Sequence, residues 1–434
     1  MHASSASIAT DHREISAAGD VPASLVRLLA IGAVLGALVF NLLLCFVNTR
    51  VMGISDGHVM LAEMAIVAGA FAAAMTRRLT LYMLLAVFMS YMILLFALRG
   101  GQYNLKALRD ILIPFAFYFL GMRMHDLKLA DRLVLASAAI VVAVGLFEYL
   151  ALDVYLQFFN VIGYYLARGT VSVADTYGQT VGLFISGVRP EPRTILPFLG
   201  QHRVSSVFLE PVSMGNFAVI VYSWALFRGR DFSGRFLAML MAATVIALAD
   251  ARFGLYSCVL ITLLYPFYNL TPRLLWGVLP FLLLAGLAIY GITSVSGGGP
   301  NDLAGRFAVT AHILTQLSLG VVFGAEITDQ FTADSGLAYS LTAFGLFGFV
   351  ALWLVLVLAP QKDPRAWRFH AMVLVYLLLL MLISDSFYSI KTAALLWFIL
   401  GTANSVAPAP SPTAQVERRR PEARDFRAGA VRPA

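Results

Sequence analysis

The sequence predicts an all-α polytopic membrane protein with about 12 transmembrane helices and two large loops on one side of the bilayer. Three observations carry that prediction. The 434 residues are 60% hydrophobic and only 13% charged, with a mean hydropathy of +0.81, whereas soluble domains are nearer half apolar and a quarter charged. Apolar runs close to the ~20 residues that a helix needs to cross a bilayer recur along most of the chain. Only two connections are long, from about Asp153 to Glu210 and from about Ser296 to Ser335.

Taken in order, residues 1–24 are polar and predict a cytoplasmic N-terminal segment. The first apolar run lacks a small-residue cleavage site and is long enough to span, so it reads as a helix and not as a cleaved signal. The expected spans are 25–46, 59–76, 79–98, 107–122, 133–151, 211–227, 235–250, 253–269, 274–294, 337–359, 369–386 and 389–405. The stretch 235–269 reads either as two tight helices or as a pair with a re-entrant element. One transmembrane domain therefore occupies 25–405, with its loops at 152–210 and 295–336. Residues 406–434 are rich in Pro, Ala and Arg and predict a disordered basic cytoplasmic tail.

An even number of spans puts both termini on one side. Twenty of the 31 basic residues then fall on that side, in clusters such as Arg228-Gly-Arg230 and Lys362-Asp-Pro-Arg365. The positive-inside rule places both termini in the cytoplasm and both long loops outside. The net charge of +7 does not argue for nucleic acid, because six of the arginines sit in the tail. Basic ends beside a bilayer report topology and contact with anionic membrane lipids. Cys45 and Cys258 both fall in apolar runs, so no disulfide framework is expected. The seven histidines show no metal-ligand spacing, and no Walker or nucleophile-elbow motif is present; the sequence calls for no metal and no cofactor.

The charged residues of the loops are the candidates for chemistry. The first loop ends in Arg189-Pro-Glu-Pro-Arg193, then Gly200-Gln-His202-Arg203, then Glu210-Pro211. Its prolines and glycines exclude a regular helix over most of that stretch. Arginine carries a planar fork of donors suited to phosphate oxygens, but Arg203 also reads as a snorkelling residue or as the partner of Glu210. Asp250-Ala-Arg252 lies between two apolar runs, either as a local pair capping a hairpin or with Arg252 aimed into a wet cavity shared with Arg203. In the second loop a glycine run precedes Gly305-Arg306, and the stretch after it predicts an interfacial helix. Asp334 reads as a general base; Asp334 or Ser335 also suits a helix N-cap. Glu210 and His202 are the next candidates for the base. Glu63 and Glu148 read more simply as interhelical polar contacts.

The pattern Arg203-x-x-Ser-x-Phe-x-Glu-Pro, then Arg252-x-Gly, Gly-Arg306 and Asp334-Ser-x9-Gly345, resembles the O-antigen polymerase and ligase superfamily (Wzy-type polysaccharide polymerases and ligases). Lys106-Ala-Leu-Arg-Asp-Ile-Leu-Ile-Pro and the Arg189-x10-Gly200 spacing fit it too, and the resemblance covers about 25–405. It implies a metal-independent, inverting membrane glycosyltransferase whose catalytic domain is the transmembrane one, in the bacterial inner membrane with periplasmic loops. The implied donor is an oligosaccharide repeat unit on undecaprenyl pyrophosphate. Arg203, Arg252, Arg306, Arg189 and Arg193 would hold the pyrophosphate, and Asp334, Glu210 or His202 would take the acceptor proton. The ligase branch typically has histidine where this chain has Asp334, which favours a polymerase of an exopolysaccharide (a xanthan-type polymer being one member of that class) or of O-antigen. Chain-length regulators or export proteins are the protein partners that such a role brings with it. The competing readings are a ligase that moves finished glycan to an acceptor and a flippase for the lipid-linked glycan.

Overall fold

The computed structural model describes residues 22–76, 79–102, 104–188, 193–293, 303–330, 332 and 334–406. Among them the chain is helical, with one isolated bridge between Val188 and His202 and no strand. Helices stand over all the expected apolar runs: α1 (Ala23–Arg50), α2 (Asp56–Ala74), α3 (Leu79–Leu98), α4 (Leu105–Met124) and α5 (Leu127–Leu150). The first long loop carries α6 (Leu152–Phe158) and α7 (Val161–Ala167). Then come α8 (Pro211–Arg228), α9 (Arg235–Ala249), α10 (Arg252–Leu264) and α11 (Arg273–Thr293). The second loop carries α12 (Leu303–Gln316) and α13 (Leu319–Phe323), and α14 (Gly336–Leu358), α15 (Ala366–Met381) and α16 (Ile390–Ser405) complete the bundle. The residues before Pro22, the tail beyond Val406, Arg189 and the Gly297–Gly299 run lie outside the described residues.

Among the described residues six helices, α1, α2, α3, α5, α11 and α14, are long and apolar enough to cross a membrane. Their outward faces remain apolar: Leu28, Leu61, Ile93, Ile289 and Phe347 are each more than 60% exposed. A helix that is hydrophobic on its outer face as well as its inner one is built for a lipid surround. The ambiguous stretch resolves into α9 and α10, which meet at a tight turn where Asp250 adopts φ 48°. With 15 and 13 residues, they reach about 22 and 20 Å, short of a ~30 Å hydrocarbon core.

Helix boundaries follow their caps more closely than the apolar runs. α5 begins at Leu127, ahead of the apolar run, because Asp126 accepts a hydrogen bond from Leu129 N at 2.9 Å. Asn104 caps α4 through Ala107 N, and Ser335 caps α14 through Ala338 N. Pro211 opens α8 at a position where its missing N–H is no loss.

At the centre, α4 packs on α16, every residue of which is buried. The two backbones touch: a Cβ on Gly121 would overlap the carbonyl oxygen of Phe398, and one on Gly401 would overlap that of Tyr118. Thr402 Oγ1 donates to Gly121 O across the same contact. Gly401→Ala is therefore expected to destabilise the protein by ~3 kcal/mol, the upper end of overpacking. Gly36→Ala on α1, where a Cβ meets open space, should leave thermal melting in detergent unchanged and serves as the control.

α14 is not continuous. Gly345 sits at φ 65° and ψ 170°, with its Cα face against the Phe323 carbonyl. The carbonyls freed by this break find donors on α3 and just beyond it: Tyr91 OH donates to Phe344 O at 2.6 Å, and Arg99 donates to Thr342 O and Ala343 O while also reaching Gly324 O at the end of α13. A broken helix is tolerated inside an apolar bundle when neighbours satisfy its backbone in this way.

Candidate functional site

Both long loops return to one end of the bundle, where α2, α4, α8, α14 and α16 begin. Four connected polar clusters lie there. The first is built on the broken end of α9. Arg193 donates to Ala247 O and Leu248 O, and to His202 O within the loop. Arg203 donates to Ala249 O at 3.0 Å and Ser186 O at 3.1 Å, and Val204 N reaches Leu248 O. The Asp250 carboxylate in turn accepts from Thr194 N and Ile195 N. A helix end leaves its last carbonyls without intrahelical partners, and two arginines supply the donors. Both are buried, at 3% and 4% exposure. They therefore fasten the loop to the α9–α10 turn, and their guanidinium groups are not open to a ligand as they stand. Arg252, by contrast, begins α10 half-buried.

The second cluster surrounds Glu148 in the last turn of α5. Its buried carboxylate accepts from Ser205 N, Ser206 N and His202 Nε2 at 2.6–3.1 Å. His202 is thus tied to Glu148 and stacks on Tyr149. Glu148 is a loop anchor, where an interhelical contact was expected. Ser206 and Leu209 adopt φ 52° and 63° in the segment that this carboxylate holds, a strain that persists only where surroundings over-determine it.

The third cluster centres on Glu210, the residue before α8. Its carboxylate accepts from Lys391 Nζ at 3.4 Å, from Ser213 Oγ and from Tyr165 OH. Burial opposes the charge, but the Lys391 ammonium and the hydroxyl donors outweigh it and hold the carboxyl below the usual glutamate range. Such a group is a weak base, and its geometry makes it a tie between the first loop and α16 instead of the proton acceptor. The sign of its linkage follows. Its stabilising contribution is complete above the ordinary glutamate value of about 4.3 and is lost as pH falls through the lower folded value. Lys391→Met is expected to lower stability by about 3 kcal/mol at neutral pH and to flatten the acid limb of a melting-temperature profile. An acid limb unchanged from wild type would refute the assignment.

The fourth cluster joins α2, α4, α14 and the α15–α16 turn. Arg109 bonds Glu63 and Asp110, and Asp110 accepts from Tyr339 OH. Lys106 pairs with Asp385 at 2.9 Å and lies over the Tyr339 ring at 4.3 Å. Beside it, Arg306 pairs with Asp334 at 2.9 Å, with both side chains more than a third exposed. Thr310 of α12 donates to Leu382 O, and Asn216 of α8 to Ser386, which links this cluster to the others. Ser335 takes the N-cap, which leaves Asp334 to Arg306.

In and beside the fourth cluster, Lys106, Arg306 and Asp334 are the charged groups that stay more than a third exposed, each within an ion pair, whereas Arg252 is half-buried. Lys106, Arg109, Asp110, Asp385 and Tyr339 were not singled out as site residues from sequence. The only available signal was the charge density in the first two turns of α4. Tyr165 is buried against Glu210, whereas Tyr177 is 95% exposed.

Below the fourth cluster, Tyr388 both packs on Tyr339 and lines an apolar groove of about 240 Å³. The groove runs between α3, α4, α14, α15 and α16, from Phe387 and Tyr388 past Phe115, Phe119 and Trp353 to Ala359 and Pro360. An anionic head with an apolar chain fits this pairing of accessible cations with an adjoining greasy slot. Among the described residues no group of three or more His, Cys, Asp or Glu side chains converges as a metal site. No protein-family model matches the chain, and no curated protein or solved structure matches it either.

Proposed function

We propose that the chain is a membrane glycosyltransferase of the Wzy-type polymerase kind. It joins undecaprenyl-pyrophosphate-linked oligosaccharide repeat units into an exopolysaccharide or O-antigen at the periplasmic face of the bacterial inner membrane. In this reading twelve helices span the membrane and both termini are cytoplasmic. The observation that carries the proposal is the group of cations and carboxylates at the loop end, Lys106 with Asp385 over Tyr339 and Arg306 with Asp334, next to an apolar groove that Tyr388 lines and Tyr339 packs against.

In the proposed reaction the acceptor hydroxyl oxygen bonds to the anomeric carbon of the donor sugar. The bond from that carbon to the pyrophosphate oxygen breaks, and undecaprenyl pyrophosphate leaves with the electron pair. The hydroxyl proton passes to Asp334, the carboxylate that is accessible at the basin edge. Lys106, Arg252 and Arg306 neutralise the charge that develops on the leaving pyrophosphate. Arg193 and Arg203 act one step back as positioning residues, by holding the turn that presents Arg252. The concentration of open charge at the loop end supports an enzyme over a flippase. The Asp at position 334 supports a polymerase over a ligase.

Reconstituted full-length protein given undecaprenyl-pyrophosphate repeat units is expected to yield glycans of two or more units, with one released undecaprenyl pyrophosphate per bond formed. Recovery of the repeat units unextended would contradict the reading.

A further inference from the structure

The end of the bundle opposite the loops holds a second site that the proposed reaction does not use. A cavity of about 830 Å³ opens there among the ends of α8, α10 and α16 and the beginnings of α5, α11 and α15. Four arginines line it, Arg228, Arg273, Arg365 and Arg368, against two carboxylates, Asp231 and Asp363.

The arginines are held in different ways. Arg228 is committed to the buried Asp131 through two hydrogen bonds of 3.1 Å. Arg368 lies over the Tyr265 ring, and its Nε and Nη2 reach the Asn269 amide oxygen at 2.8 and 2.7 Å once that amide is turned toward it. Arg273 lies over the Trp367 ring at 4.8 Å from its centroid. Among the described residues neither the Arg273 nor the Arg365 guanidinium forms an ion pair; the Asp363 carboxylate accepts from the Arg365 backbone N at 2.8 Å. A residue that merely anchors topology needs no fixed geometry. Here aromatic faces and an amide pre-orient the Arg273 and Arg368 guanidinium groups around one concavity, and the Arg273 and Arg365 guanidinium groups have no ion-pair partner among the described residues. α11 and α15 also begin at the cavity, and the positive ends of their dipoles add to the field.

We propose that this cavity binds a phosphate-bearing anionic group, with a membrane-lipid headgroup that carries two phosphodiesters as its ligand. Guanidinium forks match phosphate oxygens in pairs, the volume lies in the range of small-molecule sites, and basic pockets between helices at a bilayer surface take such headgroups. The inference stands apart from the polymerase reading, which concerns the other end of the molecule.

The test uses full-length protein in a neutral detergent, with thermal melting followed during titration with cardiolipin, with phosphatidylcholine and with inorganic pyrophosphate. Cardiolipin is expected to raise the melting temperature of wild type, and the Arg273→Gln/Arg365→Gln double variant should need about tenfold more lipid for the same shift. Both residues are exposed, so the variant should fold. Arg50→Gln, an exposed arginine at the loop end, should behave as wild type. A pyrophosphate response that depends on the same two arginines, without a cardiolipin response, would keep the phosphate site and overturn its lipid source. Equal responses of wild type and the double variant to every probe, or equal weakening by Arg50→Gln, would overturn the site itself.

Discussion

Arg109→Ala is expected to cost ~3–5 kcal/mol and to strip most of the protein from the membrane fraction. Among the described residues Arg109 is the only cation that bonds both Glu63 and Asp110, and Asp110 is fully buried. Its removal leaves two carboxylates facing each other inside the bundle with only Tyr339 and distant charges to answer them. That loss is a large share of a typical total stability of 5–15 kcal/mol. The mechanism predicts its own rescue. Glu63→Gln in the Arg109→Ala background removes one of the stranded charges and should recover part of the melting temperature. If Arg109→Ala melts within ~1 kcal/mol of wild type, the cluster is solvated and the low-dielectric account of it fails.

Asp334→Asn is expected to lower turnover by a factor of about 10²–10⁴, the usual contribution of a positioned base, while the protein folds and its melting temperature stays near that of wild type. The expectation rests on geometry. Asp334 is half-exposed and, among the described residues, pairs with a half-exposed Arg306, and surface pairs contribute little stability, ~0–1 kcal/mol. Ser335, not Asp334, caps α14. Retention of the substrate lipid by the inactive variant would separate loss of proton transfer from loss of binding. Turnover within a fewfold of wild type would remove Asp334 from the chemistry and direct attention to Asp385, which sits beside Lys106 at the same rim.

The helical scaffold was legible because apolar runs of helix length announce themselves locally. A cap for α14 at Asp334 or Ser335, which the structure resolves to Ser335, and the proline-broken stretch before α8 were legible for the same reason, since caps and breakers act on their own neighbourhood. The function of each charge was not local. Arg203 read as a free fork at the membrane surface, yet its acceptors are carbonyls at the end of α9, a different segment of chain. Glu210 read as a partner for Arg203, yet Lys391 reaches it from α16. Gly345 looked like one more motif glycine, although it breaks α14 and requires Arg99 and Tyr91 to take up the freed carbonyls. In each case the deciding partner lies far along the sequence, where no periodicity or spacing points to it.

The two ends of the molecule carry different charge logic. At the loop end Lys106, Arg109, Arg193, Arg203, Arg306 and Lys391 are matched by carboxylates or carbonyls, and Lys106, paired with Asp385, lies over Tyr339, which packs on Tyr388 at the edge of the groove. At the other end the Arg273 guanidinium is held by ring contact and, like that of Arg365, has no ion-pair partner among the described residues. The first arrangement suits a reaction in which charge appears and leaves, and the second suits retention of a standing anion.

The most direct test of the central claim is a profile of lipid-linked glycans in cells that lack the gene, complemented with wild type or with Asp334→Asn at matched membrane abundance. The account predicts that the deletion and Asp334→Asn cells accumulate single repeat units on undecaprenyl pyrophosphate at the periplasmic face, and that wild type restores polymer. Full-length polymer stranded on its carrier would identify a ligase instead. Repeat units confined to the cytoplasmic leaflet would identify a flippase and contradict the catalytic role assigned to the loop-end basin.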